Sequence, residues 1–285
     1  MANTLLSPQI IAREALMVLR KNAVMANLVH RDYSADFNGK VGDTITVRKP
    51  TTFVANEFTT DISVQNAVES GVAVKLDKLL DVSFAVTAKE LSLDIEDFSA
   101  QFLVPAMQAF ADKIDKYLID LAHGAGITQA ETNPGTLTVE NVIKARKFLV
   151  DAGAPTTERR FVYGSQIEAD LLNTNLFVSA GSVGDDGTAL REASLGRKFG
   201  LDFYCDQNEA QTSGVVFHKN GLALVTRTLD RPFGTDKCEI VNYDGFGLRV
   251  VYDYDINKKT DTISIDMLCG TAILDNTLVA KIATA

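Results

Sequence analysis

The chain has 285 residues, of which 46% are hydrophobic and 23% charged, and this balance excludes a chain that is mostly disordered. Its 28 lysines and arginines stand against 37 aspartates and glutamates, which leaves a net charge of −9. The basic footprint that nucleic-acid binding requires is not visible; the densest basic cluster is Arg159-Arg160, followed by Lys258-Lys259. No stretch reaches the roughly 18 consecutive apolar residues that a membrane helix needs.

The first third of the sequence alternates between helix and strand patterns. Residues 7–29 have helical apolar spacing and predict one amphipathic helix, with Ser7 as its cap. Residues 41–50 alternate like a strand that ends at Pro50, and residues 51–70 are polar and predict a long exposed excursion. Residues 72–76 and 82–86 also alternate, which predicts a β-ribbon or one bent strand pair whose partner lies on another subunit.

The strongest helix pattern begins near Ser92 or Asp94 and carries an apolar stripe to Leu121. Pro105 falls inside it and predicts either a kink or a division that leaves a main rod at about 105–122. Further elements are predicted at 138–153 (helix), 159–164 (strand), 165–173 (helix), 179–188 (Gly-rich loop), and 201–205, 214–218, 222–227, 237–243, 246–254 and 262–269 (strands). Because helices dominate the first half and strands the last third, the predicted fold class is α+β.

Signatures of catalysis are absent from the sequence. It has no phosphate loop, no dinucleotide-binding fingerprint and no nucleophile elbow. His30, His123 and His218 are isolated, and we expect them to have structural roles rather than catalytic or metal-binding ones. Cys205, Cys238 and Cys269 are odd in number and far apart, which is typical of a protein folded in a reducing cytoplasm and not of a disulfide framework. The prediction is therefore that no residue is catalytic, binds a cofactor or binds a metal.

One acidic stretch partly matches a calcium-binding loop. Asp253, Asp255, Asn257 and Asp261 resemble the start of a calcium loop, but lysine stands at 258 where that loop needs glycine. The alternative, a β-hairpin turn at 257–259 with solvated acids, is favoured. The run Asp185-Asp186-Gly187 is interpreted as a loop tip that could in principle bind a cation.

The order of these parts resembles a known family. The stretches that carry the resemblance are VGDTITVRKP at 41–50, VSFAVTAKEL at 82–91, the helix at 94–122, ASLGRKFGLDFY at 193–204 and FHKNGLALVT at 217–226. Together they resemble the major capsid (coat) protein of tailed double-stranded DNA bacteriophages, which has the Hong Kong 97-type fold. The branch that this sequence is most similar to is that of the short-tailed enterobacterial phages.

The resemblance implies a subunit with an N-terminal arm and entry strand (1–49), an extended loop (50–87), a peripheral domain with a spine helix (88–123), an axial domain (124–225) and a return to the peripheral domain (226–285). It implies hexameric and pentameric capsomers of the chain itself, assembled in the bacterial cytoplasm into a virion capsid. The implied partners are a separate scaffolding protein, because the sequence begins almost directly at the arm, a portal protein, and enclosed DNA without sequence-specific contacts. No cofactor and no membrane are expected. The alternatives are another phage structural protein, of the tail-tube or decoration type, or an enzyme of unrecognised family.

Overall fold

The computed structural model describes residues 8–33, 44–49, 53, 55–57, 64, 70–87, 102–133, 136–174, 195–234, 237–243 and 246–284. The predicted loop at 179–188, with Asp185-Asp186-Gly187, lies outside the described residues, as does the predicted start of the long helix at Ser92 or Asp94. Of the predicted excursion at 51–70, only residues 53, 55–57, 64 and 70 are described.

The described residues hold two shorter helices, three strands and the long helix in the first part of the chain, and strands fill the last third, so the fold is α+β as predicted. The helices are α1 (Pro8–Asn22), α2 (Met25–Leu28), α3 (Val104–Ala122), α4 (Val139–Asp151) and α5 (Ser165–Leu172). The strands are β1 (Thr44–Lys49), β2 (Ser70–Lys75), β3 (Lys78–Thr87), β4 (Thr128–Asn133), β5 (Arg159–Tyr163), β6 (Arg197–Lys198), β7 (Leu201–Cys205), β8 (Gly214–His218), β9 (Leu222–Arg227), β10 (Cys238–Tyr243), β11 (Phe246–Asp255), β12 (Thr260–Ile273) and β13 (Val279–Thr284).

The strands form three sheets. A five-stranded antiparallel sheet has the order β10-β11-β12-β3, and β9 pairs with the remaining part of β12. A six-stranded mixed sheet has the order β4-β13-β8-β5-β7-β6, with parallel pairs at β4–β13 and β5–β7. β1 and β2 form a separate two-stranded ribbon.

Each sheet buries one apolar cluster. The largest cluster lies between the five-stranded sheet and α1, α2 and α3, and it includes Leu19, Phe110 and Ile265. The second cluster lies between the six-stranded sheet and α4 and α5. The third holds the root of the ribbon, where Ile45 and Val74 pack with residues of β9 and β12. The ribbon is therefore anchored to the body at its base.

The long helix confirms the predicted main rod. α3 begins one residue before Pro105, which occupies its first turn, where a missing backbone N–H removes no helical hydrogen bond. The proline therefore lies where the α-helical rod begins, directly after the π-helical residues 102–103. Met107, Phe110, Ile114 and Leu118 recur every three or four residues and are buried.

The helix predicted over 138–153 is α4, and it is capped at both ends. The Thr138 N–H donates to the side-chain oxygen of Asn141 at 3.1 Å, which fixes the start of the helix. Gly153 follows its end with φ +71°, and the Ala154 N–H donates to the Leu149 carbonyl at 3.0 Å. This is a Schellman arrangement, in which glycine adopts the left-handed conformation at low cost.

The predicted ribbon of residues 72–76 with 82–86 is wrong in its pairing. β2 pairs with β1, from Lys75 opposite Thr44 to Ser70 opposite Lys49. β3 instead pairs along all ten of its residues with β12. Only Leu76 and Asp77 separate β2 from β3, and each strand gains a longer antiparallel partner elsewhere. Residues 50–69 therefore connect the two strands of the β1–β2 ribbon.

The remaining strands were predicted with small differences, apart from four. β12 extends to Ile273, beyond the predicted 262–269, and β4, β6 and β13 were not predicted. β4 has the polar sequence TQAETN, which lacks apolar alternation, and it is held only as an edge strand parallel to β13. These strands form because they pair with segments that are distant in the sequence. A local sequence pattern does not contain that information.

Candidate functional site

The three histidines lie on separate elements and have structural partners. His218 is buried at the end of β8, where its Nδ1 accepts the Asn220 N–H at 3.2 Å. His30 stacks on Tyr33 with ring centroids 4.6 Å apart. Burial lowers the pKa of both His30 and His218, which favours the neutral form of each ring. Within the described ranges, no group of three or more His, Cys, Asp or Glu side chains is placed to hold a metal ion.

The acidic stretch at 253–261 forms the predicted hairpin turn. Asp255 pairs with Thr260 across the β11–β12 hairpin, and its carboxylate accepts the Asn257 N–H at 2.9 Å and the Lys258 N–H at 3.2 Å. Lys259 completes the turn with φ +52°. The Asp255 carboxylate therefore closes the turn, and the Lys258 ammonium lies 3.8 Å from it.

The densest basic cluster of the sequence is used inside the fold. Arg159 is buried and donates to the carbonyls of Ala154 and Pro155, each at 2.6 Å. The Arg160 guanidinium donates to the Leu28 carbonyl at the end of α2. These two side chains fix backbone carbonyls and do not form an anion-binding surface.

Asp115 joins the N-terminal segment to the middle of α3. The prediction of one helix over 7–29 is wrong at residues 23–24, where the chain leaves α1 and restarts as α2. There the buried carboxylate of Asp115 accepts the N–H groups of Val24 at 2.7 Å and Ala26 at 2.8 Å. A side chain from α3 thus satisfies the first amide groups of α2, so the helix breaks where this acceptor stands. Burial raises the pKa of Asp115 to about 7.

The segment after α2 is attached to β9 as well. The His30 N–H donates to the Leu222 carbonyl at 3.0 Å, and the Leu224 N–H donates to the His30 carbonyl at 2.9 Å. Together with Arg160 and Asp115, these bonds tie the N-terminal segment to α3 and to both large sheets. The attachment contains long-range partners that the sequence pattern did not identify.

The end of α3 meets the six-stranded sheet through polar contacts. The Lys281 ammonium on β13 donates to the carbonyls of His123 at 3.0 Å and Gly124 at 3.2 Å, where the helix dipole favours a cation. His123 Nε2 donates to Glu209 Oε1 at 2.7 Å, and the Ser213 hydroxyl donates to the same oxygen at 2.5 Å. Glu209 is buried although it belongs to the loop between β7 and β8. This joint couples α3 to that loop.

Two apolar side chains are exposed in the excursion between β1 and β2. Phe53 is 64% exposed and Val64 81% exposed. Ala55, Asn56 and Glu57 are also exposed. Exposed apolar surface is typical of regions that another chain covers.

A search for membrane-crossing helices gives a negative result for the described part of the chain: none of its helices combines the length and apolarity needed to span a bilayer.

Comparison with known proteins gives matches among solved structures. No family model and no curated protein matches the sequence. A structure from Mycobacterium phage Che8 is 19% identical with a TM-score of 0.69, covering 91% of this chain and 90% of that chain. The capsid structure of the cyanophage P-SCSP1u is 12% identical with a TM-score of 0.62, covering 92% and 88%. The capsid of an empty GTA particle is 13% identical with a TM-score of 0.59, covering 100% and 93%.

These likenesses establish the fold. The chain has the Hong Kong 97-type fold, in agreement with the class that the sequence resembles. The likeness extends over nearly the whole length of both chains in each comparison, so it includes both large sheets and α3.

Proposed function

We propose that this chain is a major capsid protein that assembles into the icosahedral shell of a tailed double-stranded DNA bacteriophage. The observation that carries the proposal is the likeness in fold, over 92% of this chain and 88% of the other, to a structure that is itself a phage capsid. A second shell-forming structure, a virus-like particle from Pyrococcus furiosus, covers 96% of this chain with a TM-score of 0.55. In this proposal many identical copies form hexameric and pentameric capsomers through heterologous contacts.

The excursion between β1 and β2 supports the proposal. Its root is packed into the body by Ile45, Val47 and Val74, whereas Phe53 and Val64 farther along are exposed. A firmly anchored root with exposed apolar side chains beyond it suits an arm that lies on a neighbouring subunit. We assign residues 50–87 to this extended loop and its return strand.

The remaining boundaries follow the same scheme. Residues 1–49 form the N-terminal arm and entry strand, and residues 88–123 contain the spine helix. The axial domain, 124–225, contains the strands β4 to β8, and β13 joins their sheet from the segment 226–285. The spine helix acts as a rigid strut because its whole inner face is buried.

The partners proposed for the shell are a separate scaffolding protein, a portal protein and the enclosed DNA. The net charge of −9 suits an inner wall along which DNA slides during packaging instead of adhering. The internal use of Arg159 and Arg160 supports this because it removes the densest basic cluster from the surface. We place assembly in the bacterial cytoplasm and the finished protein in the virion.

Within the fold, we place the chain in the branch of the short-tailed enterobacterial phages. This finer placement rests on the order and spacing of the resembling stretches along the whole chain. A shell reconstruction in which the path of residues 50–69 follows that of another branch would contradict it.

The test is electron microscopy of the purified chain, expressed alone and together with the genes that flank its own. Closed shells, spirals or partial shells are the expected result. Uniform tubes or small rings would contradict the proposal and favour another structural protein. A chain that remains monomeric in both preparations would also contradict it.

A further inference from the structure

The β1–β2 ribbon lies on one face of the paired strands β9 and β12. Alternate residues of β12 belong to different apolar clusters, because side chains alternate between the two faces of a strand. Met267 and Cys269 pack in the cluster against α1, α2 and α3, whereas Ala272 packs with the root of the ribbon. Gly270, two residues before Ala272, therefore stands on the ribbon face of β12, where it pairs with Val225 of β9.

The backbone between β2 and β3 crosses β12 directly at Gly270. A Cβ at this position would collide with the Lys75 carbonyl oxygen, and it would lie 2.9 Å from the Lys75 carbonyl carbon and 3.2 Å from the Leu76 Cα. All three are backbone atoms, which cannot rotate away as the end of a side chain can. The missing side chain of Gly270 therefore permits this close approach.

The chain joins β12 again immediately after the crossing. Lys75 is the last residue of β2, and Lys78, the first residue of β3, already pairs with Cys269 on β12. Only Leu76 and Asp77 lie between these two strands. A connection of two residues is too short to absorb an added side chain at the crossing, so the root of the ribbon would have to move instead.

A displacement at the root is enlarged at the far end of the ribbon. Ile45, Val47 and Val74 are buried and hold the root against β9 and β12. Beyond Lys75 the ribbon continues for five more residues to Ser70, which is about 16 Å at the rise of a strand. The extended loop begins at that far end, so contacts at the root decide where the loop points.

From this geometry we infer that Gly270 is a positioning residue that sets the direction in which the extended loop leaves the body. The consequence for assembly rests on the proposed function: a loop that points elsewhere does not lie on the neighbouring subunit, and shells do not close. The direction itself is a property of a single chain. It can therefore be measured without assembly.

The test measures this direction in the unassembled full-length chain by double electron–electron resonance. Nitroxide labels are attached at Val64→Cys in the loop and at Asp120→Cys on α3, two exposed positions. The half-buried Cys205 is replaced by alanine in every chain, and the other two cysteines are buried. Gly270→Ala should shift the mean distance between the labels by at least about 4 Å, because a tilt of about 20° at the root moves the end of the ribbon by about 6 Å.

The effect on assembly is measured by electron microscopy of the same variant without labels. Gly270→Ala should give at least about tenfold fewer shells than wild type, because each closed contact requires a fixed orientation. Circular dichroism checks that the variant is folded. Shells absent from wild type would contradict the proposed function, and the label distances would still decide whether Gly270 sets the direction of the loop.

Gly247→Ala is the matched control for crowding at a glycine of the same sheet. A Cβ at Gly247 would collide with the side-chain oxygen of Asn242 and lie 2.7 Å from the Thr228 Cγ2, atoms of β10 and of the segment after β9. The variant should leave both the label distance and the yield of shells as in wild type. Equal shifts in Gly247→Ala and Gly270→Ala would overturn the inference, because general loosening of the sheet would then explain both.

A second variant decides the case in which Gly270→Ala does not fold. Ala272→Val enlarges a buried side chain under the root of the ribbon and leaves the backbone crossing free. It should also shift the label distance, because the root must move to make room. An unchanged distance in folded Gly270→Ala, or in Ala272→Val if the first variant is unfolded, would overturn the inference. A shifted distance together with a normal yield of shells would also overturn it, because the direction would then not matter for assembly.

Discussion

The carboxylate of Asp115, in the middle of α3, accepts the backbone N–H of Ala26 at 2.8 Å and so closes the start of α2 from another helix. The two residues are 89 positions apart, and the bond is buried. The N-terminal segment is thus attached to the spine of the fold by a charge-bearing group in an apolar cluster. This attachment has consequences for stability and for its dependence on pH.

Replacing Asp115 should loosen the N-terminal segment. In Asp115→Ala, the N–H groups of Val24 and Ala26 lose their acceptor inside the protein, which is expected to cost about 2–3 kcal/mol in the free energy of unfolding. Urea unfolding measures this loss, and hydrogen exchange should increase first at residues 24–28. Asp120→Ala is the matched control, because Asp120 is exposed on the same helix and its replacement should change little. Equal effects of the two substitutions would show that the attachment does not contribute to stability.

The stability of the protein should fall between about pH 4 and pH 7 because of Asp115. Burial raises its pKa from 3.8 to about 7 in the folded protein, whereas the unfolded chain ionises near 3.8. The contribution of Asp115 is therefore fully present below pH 3.8 and is lost as the pH rises through about 7. Asp115→Asn does not titrate, so the difference in unfolding free energy between wild type and this variant should decrease across this range. A difference that stays constant with pH would contradict the raised pKa.

Part of this architecture is predictable from the sequence, because local periodicity contains it. The spacing around Phe110 and Leu118 predicts α3, and Gly153 predicts the end of α4. Asp115 lies on the same apolar face. A carboxylate at a buried position needs a hydrogen-bond donor, so its presence there indicates a buried donor group. The identity of that partner depends on how α2 packs on α3, and no local pattern specifies it. The pairing of β3 with β12 was missed for the same reason, since residues such as Asp81 and Ser264 are 183 positions apart.

The effects of replacing Arg249 and Asp266 on the free energy of unfolding should be strongly coupled, because the Arg249 guanidinium donates to the buried Asp266 carboxylate at 2.9 and 2.5 Å. In Arg249→Leu, the buried Asp266 carboxylate keeps its charge without its partner, and a loss of about 3–5 kcal/mol is expected. The double variant Arg249→Leu with Asp266→Leu should lose less unfolding free energy than Arg249→Leu alone, because no unpaired charge remains buried. Thermal unfolding of the single and double variants gives the coupling energy. Additive losses would show that the two side chains act independently.

The extended loop should be required for assembly and not for folding. Lys49 and Ser70 pair at the end of the β1–β2 ribbon, so residues 50–69 can be replaced by Asn-Gly, which suits a two-residue hairpin turn. The variant should unfold within about 0.5 kcal/mol of wild type, because the buried root of the ribbon is unchanged. It should form no shells in electron microscopy.

A second chain with residues 54–69 in shuffled order keeps the length and composition of the loop. It should fail in the same way, because side chains such as the exposed Val64 then no longer stand where they contact the adjacent subunit. Normal shells from the shortened chain would remove the loop from the assembly mechanism.

Gly164 should be essential for the joint at the end of α3. A Cβ at this position would collide with the Ala210 carbonyl oxygen, in the loop that carries Glu209 to His123. Gly164→Ala must therefore displace that loop, and a loss of about 2 kcal/mol or more in unfolding free energy is expected. The NMR signals of the His123 ring should shift, because its partner moves with the loop. Gly126→Ala is the control, since nothing lies within 4 Å of the added Cβ. If Gly164→Ala left both the stability and the His123 signals unchanged, the close approach of this loop would not be what positions Glu209.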